Sequence, residues 1–265
     1  MKALIDQTIP AECPWRDTLY WYDTIDSTNT RARILAREGA PHGTVVLAGH
    51  QSSGRGRLGR SFHSPQGLGI YLSVILRPKC VPTQLMHLTC AVAVSMCDAV
   101  QSVTGVRPGV KWINDLVLDH KKLGGILTEL SVDPATGLVE YAIVGIGINC
   151  CHRAEDFPPE LRSIATSLQM CDLTSDPGIL AAAMVTKLEQ MDRDLLKKKD
   201  VIMARYRRDC ITLGREITVH RGDTVTPGRA LDIDADGALL VQYADGTVQP
   251  VNSGEVSVRG LSSYL

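Results

Sequence analysis

Phenylalanine is almost missing from this chain: Phe62 and Phe157 are the only two among 265 residues, and all aromatics together make up 5%. Aliphatic side chains must therefore do most of the packing. Neither sign of charge is in excess. With 28 basic and 29 acidic residues the net charge is -1, which excludes a protein whose main work is neutralising nucleic-acid phosphates and makes any cationic function local. The eight cysteines include no C-x-x-C pair, and Cys150-Cys151 has no partner at metal-ligand spacing. They read as reduced, mostly buried thiols rather than a redox or zinc site. Met1 to Asp17 contains no continuous apolar segment of the signal-peptide kind, and no window reads as a membrane-spanning helix, so a cytoplasmic protein is expected. Internal repeats and low-complexity stretches are lacking too. What remains is an ordinary globular composition, 44% apolar and 22% charged, long enough for one large domain of about 200 residues and a small appendix.

Leu19 to Ile25 is rich in strand formers, and Asp26-Ser27-Thr28-Asn29 follows as a cluster of helix N-cap residues. The helix they open is expected to stop at Gly39, with Pro41 beyond. Capping alone accounts for Ser27 and Thr28; the alternative is that their hydroxyls face a ligand at the helix N-terminus. Thr44–Ala48 and Gly69–Leu76 read as strands, separated by about twenty residues without periodicity, the pattern of a functional lid or mobile segment. From Thr83 to Thr104 apolar residues recur at helical spacing. Val110–Leu118 and Lys121–Val132 read as a hairpin, followed by a strand over Leu138–Asn149. Its alternating glycines leave one face without side chains. Asp176-Pro177 opens a long helix, and a second helical stretch reaches about Ile211. After Gly214 the texture changes to five short strands with turn signals Asp236-Gly237, Asp245-Gly246 and Ser253-Gly254. The expected division is 1–212 and 213–265, the second part a small barrel.

Two stretches carry the chemistry. The first is His50 to Arg60, whose core Gly54-Arg55-Gly56-Arg57-Leu58-Gly59-Arg60 interleaves glycines, which allow close backbone approach, with arginines suited to carboxylate or phosphate. The second is Lys111-Trp112-Ile113-Asn114-Asp115 with Lys121-Lys122-Leu123-Gly124-Gly125-Ile126. Gly54-x-Gly56-x-x-Gly59 formally matches a dinucleotide fingerprint, but Pro65, Gly67 and Gly69 stand where a helix is required, and Arg-Pro-Lys-Cys fills 77–80 where an acidic ribose ligand belongs. Neither a Walker A loop nor kinase motifs occur. One Gly/Arg segment in a net-acidic chain is poor support for RNA binding. Together, Arg55, Arg57, Arg60, Lys111, Lys121 and Lys122 could neutralise a polyphosphate and a second anion, while Asn114 and Asp115 offer oxygen ligands to magnesium. The bland alternative is a surface lysine beside a half-buried Trp112 and an ordinary charged hairpin. The grouping suggests nucleotidyl transfer to a carboxylate, in which the protein positions reactants and screens charge.

At these residues the chain resembles the biotin protein ligases. Gly54 to Arg60 is similar to the family's G-R-G-R-x-G-R loop, and Lys111 to Asp115 to its K-W-P-N-D segment with Ile113 in place of proline. Lys121 to Leu127 resembles its K-[LIV]-[AG]-G-I-L stretch, and Val144 to Asn149 its G-I-G-I-N strand. The resemblance covers roughly residues 19 to 260. It implies an α+β (α/β) fold: a mixed β-sheet catalytic domain backed by helices, class II synthetase-like, with a C-terminal SH3-like barrel. It also implies the reaction of biotin with ATP to give biotinyl-5'-AMP, then transfer of biotin to a lysine of a biotin carboxyl carrier protein or domain of a biotin-dependent carboxylase. By the same resemblance Lys122 and Arg57 are catalytic. Ser27, Thr28, Asn29, Gln51, Gly54, Arg55, Arg57, Lys122, Gly125, Gly145 and Gly147 bind biotin. Arg57, Arg60, Lys111, Trp112, Asn114, Lys122 and Asn149 serve ATP or the adenylate, and Asn114 and Asp115 hold magnesium.

Two departures stand out. Ile113 replaces a rigid proline, and no tryptophan follows Trp112, so Ser163-Ile164-Ala165-Thr166 offers adenine only aliphatic cover. The stretch before Leu19 is too short for a three-helix DNA-binding domain, so neither DNA nor a membrane is an expected partner, and the protein is expected as a monomer or homodimer. Lipoate or octanoate ligases, said to share the fold, use an R-R-x-x-G-G-G-like loop that this chain lacks. A non-catalytic module that stores biotin or its adenylate is the rival from another class.

Overall fold

Two sheets divide the chain. The computed structural model describes residues 1–173, 175–252 and 256–260. The larger sheet takes β1 (Leu19–Tyr22), β2 (Thr44–Ala48), β3 (Gly69–Leu76), β4 (Gly109–Lys111), β5 (Asp115–Leu118), β6 (Lys121–Val132) and β7 (Val139–Asn149), in the order β1-β2-β3-β7-β6-β5-β4. Only β1 and β2 run parallel, because α2 (Thr28–Arg37) crosses between them. Gly39, at φ 89°, ends that helix as its composition foretold.

The Thr44–Ala48 strand is buried at every position, as expected of a strand covered on both faces. One face meets α2, where Ala32, Leu35 and Ala36 pack with Val46, Ile75, Tyr141 and Ile143. The other meets α3 (Leu88–Thr104), α4 (Pro177–Asp194) and α5 (Lys199–Asp209), where Val92, Met96, Leu180 and Met184 join Val45, Leu47, Leu72 and Val74. Asp176 caps α4 by accepting a hydrogen bond from Gly178 N at 2.7 Å. The N-terminal residues are part of this layer. In α1 (Lys2–Thr8) and its exit, Ile5 and Ile9 are buried, and the Trp15 ring fills the space a Cβ at Gly43 would need.

Three expectations are refined. The helix expected from Thr83 starts as a 3-10 turn over Pro82–Leu85, and α3 begins only at Leu88. Pro82–Thr104 is also long and apolar enough to cross a bilayer by length and composition, contrary to the sequence reading; its burial against α4 and α5 makes it the central core helix. Val110–Leu118 is not one strand: it breaks at Trp112–Asn114, where the Trp112–Ile113 peptide is cis, and β4 and β5 pair antiparallel with Lys111 opposite Asp115. Asp119 and His120, at φ 47° and 59°, then turn the chain into β6, the signature of a tight primed hairpin turn. All eight cysteines carry free thiols, six of them buried.

The smaller sheet is antiparallel throughout: β8 (Glu216–Arg221), β9 (Thr224–Ile233), β10 (Leu239–Gln242), β11 (Val248–Val251) and β12 (Val256–Gly260), in the order β11-β10-β9-β8-β12. Gly237 and Gly246 take φ 92° and 84° at two of the expected turns; the third, Ser253-Gly254, lies outside the described residues. This sheet is fastened to the larger unit near the β4–β5 tip. Trp112 Nε1 donates to Gly237 O at 2.9 Å and Arg207 Nε to Ile233 O at 2.6 Å, while within the larger unit Tyr206 OH donates to Ile113 O at 3.0 Å and holds the tip in place.

Candidate active site

A cleft of about 580 Å³ opens between the N-terminus of α2, the loop after β2, the β4–β5 tip, and strands β6 and β7. Its floor is nearly bare of side chains because Gly125 on β6 pairs with Gly147 on β7, and Leu127 with Gly145. The bareness has a structural occupant. A Cβ at Gly145 would lie 1.9 Å from Asn29 Oδ1, and one at Gly147 2.4 Å from Phe62 Cε1. The glycines admit an amide and an aromatic ring to the floor of the site.

At one end, short polar side chains interlock. Ser27 caps α2, its hydroxyl accepting from Thr30 N at 3.5 Å. Gln51 Oε1 accepts from Thr28 N at 2.8 Å and contacts Thr28 Oγ1 at 3.1 Å, while Gln51 Nε2 donates to Ser64 Oγ at 2.9 Å. Ser73, a polar residue inside the apolar β3, stands 2.8 Å from Thr28 Oγ1 and donates to Asn29 Oδ1 at 2.6 Å. Asn29 Nδ2 donates to Glu129 Oε2 at 2.9 Å, and Arg55 Nη1 pairs with the same carboxylate at 3.0 Å. Ser27, Thr28, Asn29 and Ser73 are all buried, so partners are required of them.

At the other end, cations gather. Arg57 Nη1 donates to Asn114 Oδ1 at 3.1 Å, and the Asn114 Nδ2 donates to Ile126 O at 2.9 Å, which fixes the orientation of that amide. Burial lowers the Arg57 pKa, an effect that the nearby Asp115 opposes and Arg60 reinforces. Lys122 Nζ lies 2.7 Å from Asp115 Oδ1, and Lys111 is 9% exposed. Arg60 is exposed on the rim. The loop is stitched to itself: Gly56 N donates to Arg60 O at 2.7 Å and Phe62 N to Gly54 O at 2.9 Å, with a 3-10 turn at Arg57–Gly59 and Leu58 at φ 54°.

A third wall is apolar. Leu161, Ile164 and Ala165 face the cleft, held by Lys122 N donating to Ile164 O at 2.8 Å and Thr166 N to Lys122 O at 2.9 Å. Asn149 is anchored beside it through Thr166 O at 2.9 Å. His63 joins this wall and bonds Asp156 O at 3.0 Å. Behind it His152, fully buried and stacked on Phe157 at 4.7 Å, has its pKa lowered to about 4, first by burial and then by His63.

The fold thus brings the expected residues together from five segments, with two exceptions. Gly54 does not line the cleft; it is buried behind it, where a Cβ would meet Phe62 O at 2.4 Å and Ser64 Oγ at 2.6 Å. Lys121 is not on the wall either. Trp112 lines the cleft, but it is 4% exposed rather than half-buried at a surface, and its N–H is committed to Gly237. Among the described residues no cluster of three or more His, Cys, Asp or Glu could hold a metal alone. Sequence reasoning missed Glu129, Phe62 and Ser73. Period-two alternation along β6 puts Glu129 on the face of Gly125 and Leu127, and an isolated serine in an apolar strand was a visible signal.

Comparison with known proteins agrees with this geometry. Residues 21–149 match the model of the biotin/lipoate A/B protein ligase family, and 212–259 that of the biotin protein ligase C terminal domain. The bifunctional ligase/repressor BirA of Bacillus subtilis is 32% identical over 243 residues, covering 91% of this chain and 74% of its own length. A biotin–(acetyl-CoA-carboxylase) ligase of Mycobacterium tuberculosis is 31% identical over 264 residues, covering 96% and 94%. The biotin protein ligase from Aquifex aeolicus, solved in complex with biotin and ATP, superposes with a TM-score of 0.77 at 28% identity, covering 92% of this chain and 99% of that one. The chain therefore belongs to the biotin/lipoate A/B protein ligase family.

Proposed function

We propose that this chain is an ATP-dependent biotin protein ligase that forms biotinyl-5'-AMP from biotin and ATP and then transfers biotin to one lysine of a biotin carboxyl carrier domain. The observation that carries this reading is the pairing, in one cleft, of a buried array of hydroxyls and amides with a cluster of cations that includes Lys122 and Arg57. The first suits the ureido ring of biotin and the second a carboxylate meeting a triphosphate.

In this reading Ser27, Thr28 and Gln51 hold the ureido group, with the backbone at Arg55 beside it, and the valeryl chain runs over Gly125, beside the Asn29 and Phe62 side chains that lie on Gly145 and Gly147. Gly54 contributes by letting the loop pack rather than by touching biotin. The biotin carboxylate attacks the α-phosphorus and pyrophosphate leaves. Lys122 turns from Asp115 to the carboxylate and α-phosphate, where negative charge concentrates; Arg57, Arg60 and Lys111 screen the polyphosphate. Leu161, Ile164 and Ala165 cover the adenine beside Asn149, in the place of the absent tryptophan. Asp115, once Lys122 leaves it, and Asn114, whose Oδ1 keeps a second lone pair beside Arg57, would hold a magnesium ion bound mainly by phosphates and water, which would neutralise charge on the leaving group. Closure of the 54–60 loop keeps water from the mixed anhydride until a carrier lysine attacks its carbonyl and displaces AMP. We place the catalytic domain at 1–212 and the small domain at 213–265, and assign the enzyme to the cytoplasm.

Pyrophosphate exchange into ATP, run with biotin, lipoate, octanoate or no acid, tests the reading. Exchange with biotin alone is expected. Exchange with lipoate or octanoate instead would move the chain to the sister branch of its family, and none with any acid would leave a binding module.

A further inference from the structure

Glu129 was not among the expected site residues and does not line the cleft, yet it terminates the polar array. Its carboxylate is acceptor-only. At 2.9 Å from Asn29 Nδ2 it compels that amide to direct nitrogen toward β6 and oxygen toward Ser73; Leu127 O, at 3.4 Å from the same nitrogen, adds a longer contact in the same sense. Ser73 must then spend its only proton on Asn29 Oδ1, at 2.6 Å. Thr28, whose Oγ1 is 2.8 Å from Ser73 Oγ and 3.1 Å from Gln51 Oε1, has one proton for two oxygens. At the far end Gln51 Oε1 is fixed as an acceptor by Thr28 N, and Gln51 Nε2 by Ser64. Three oxygen–oxygen contacts are therefore served by two protons. With the shorter contact protonated, Thr28 Oγ1 and Gln51 Oε1 face one another without a hydrogen between them, and both line the cleft.

We infer that Glu129 is a positioning residue that, acting through Asn29 and Ser73, sets this end of the cleft one proton short and so makes it selective for a ligand N–H donated to the Thr28–Gln51 oxygen pair. The inference rests on the biotin reading, in which that donor is a ureido N–H. In Glu129→Gln the new amide can donate, so Asn29 can turn over, present nitrogen to Ser73 and relieve the deficit before any ligand arrives. Arg55 Nη1 lies 3.0 Å from both carboxylate oxygens; in that variant it keeps one oxygen acceptor and loses the other together with the ion pair, a weakening of the loop anchor that the ATP KM reads separately.

The test is steady-state biotin-dependent pyrophosphate exchange with the full chain as wild type, Glu129→Gln and Glu129→Asp. It is run with biotin and with the cyclic carbamate analogue in which oxygen replaces one ureido N–H. Glu129→Gln should raise the KM for biotin about tenfold, the weight of one well-placed hydrogen bond, with the KM for ATP and the melting temperature unchanged. Glu129→Asp, still acceptor-only, should recover most of the loss. Replacing N–H by oxygen should cost the wild type more than Glu129→Gln. An unchanged biotin KM in Glu129→Gln would overturn the inference. So would parallel losses in both KM values and in melting temperature that Glu129→Asp does not repair, because a merely structural role predicts those. Absence of any biotin-dependent exchange in the wild type would instead sink the ligase reading, and this inference with it.

Discussion

The two ends of the cleft are built by opposite strategies. The polar end uses short side chains, Ser27, Thr28, Asn29, Gln51 and Ser73, on a helix terminus, a strand and a strand exit, each locked by a neighbour within 3.5 Å. The cationic end uses Arg57, Arg60, Lys111 and Lys122, long side chains on a loop, a hairpin tip and a strand start. Short locked groups discriminate among ligands, since every misfit leaves a buried polar atom unpaired. Long cations can change partners during a reaction, as the role proposed for Lys122 requires when it leaves Asp115. In the proposed reaction, selectivity and charge stabilisation are thus separated along one cleft.

That separation can be broken in graded steps. The largest effect is expected at the cationic end: Lys122→Met should lower the turnover of adenylation by about 10²–10³-fold, with little change in melting temperature. A rapid-quench assay of biotinyl-5'-AMP formation measures it, and a loss confined to biotin affinity would contradict the division of labour. At the polar end, Gly145→Ala puts a methyl where Asn29 Oδ1 sits 1.9 Å away, so Asn29 must move; overpacking of about 1–3 kcal/mol should appear as a biotin KM raised roughly tenfold or more beside a near-normal ATP KM. Arg57→Gly removes the strut from the loop to Asn114 and should release adenylate several-fold faster, read by trapping free adenylate after a single turnover. The smallest effect concerns the third wall. His152 has a folded pKa of about 4 against an ordinary 6.5, so between these values the unfolded chain holds a proton that the native chain does not. Its contribution is therefore constant above about pH 6.5 and is lost as pH falls toward 4. His152→Phe should flatten the melting temperature across that window in calorimetry.

Much of this architecture was legible in the residues. The motifs around Gly54, Lys111, Lys122 and Gly145 marked the cleft, and turn residues such as Asp236-Gly237 marked the small sheet, because backbone requirements leave local traces. The Glu129–Asn29 bond left none, since it joins residues 100 apart in sequence whose meeting depends on sheet order. The break at Trp112–Asn114 was hidden because nine residues of plausible strand composition, Val110–Leu118, contain the hairpin tip. The glycines of β7 were read correctly as making space, but not as space for Asn29 and Phe62, which only packing reveals.

The indole of Trp112 reaches from the β4–β5 tip to the carbonyl of Gly237, and this bond gives the small sheet a thermodynamic stake in the catalytic unit. If the small sheet unfolded locally, the indole N–H would exchange this carbonyl for water, at a net cost of about 0.5–1.5 kcal/mol. Local opening of the small sheet is thereby coupled to the order of the β4–β5 tip, the segment proposed to meet the nucleotide.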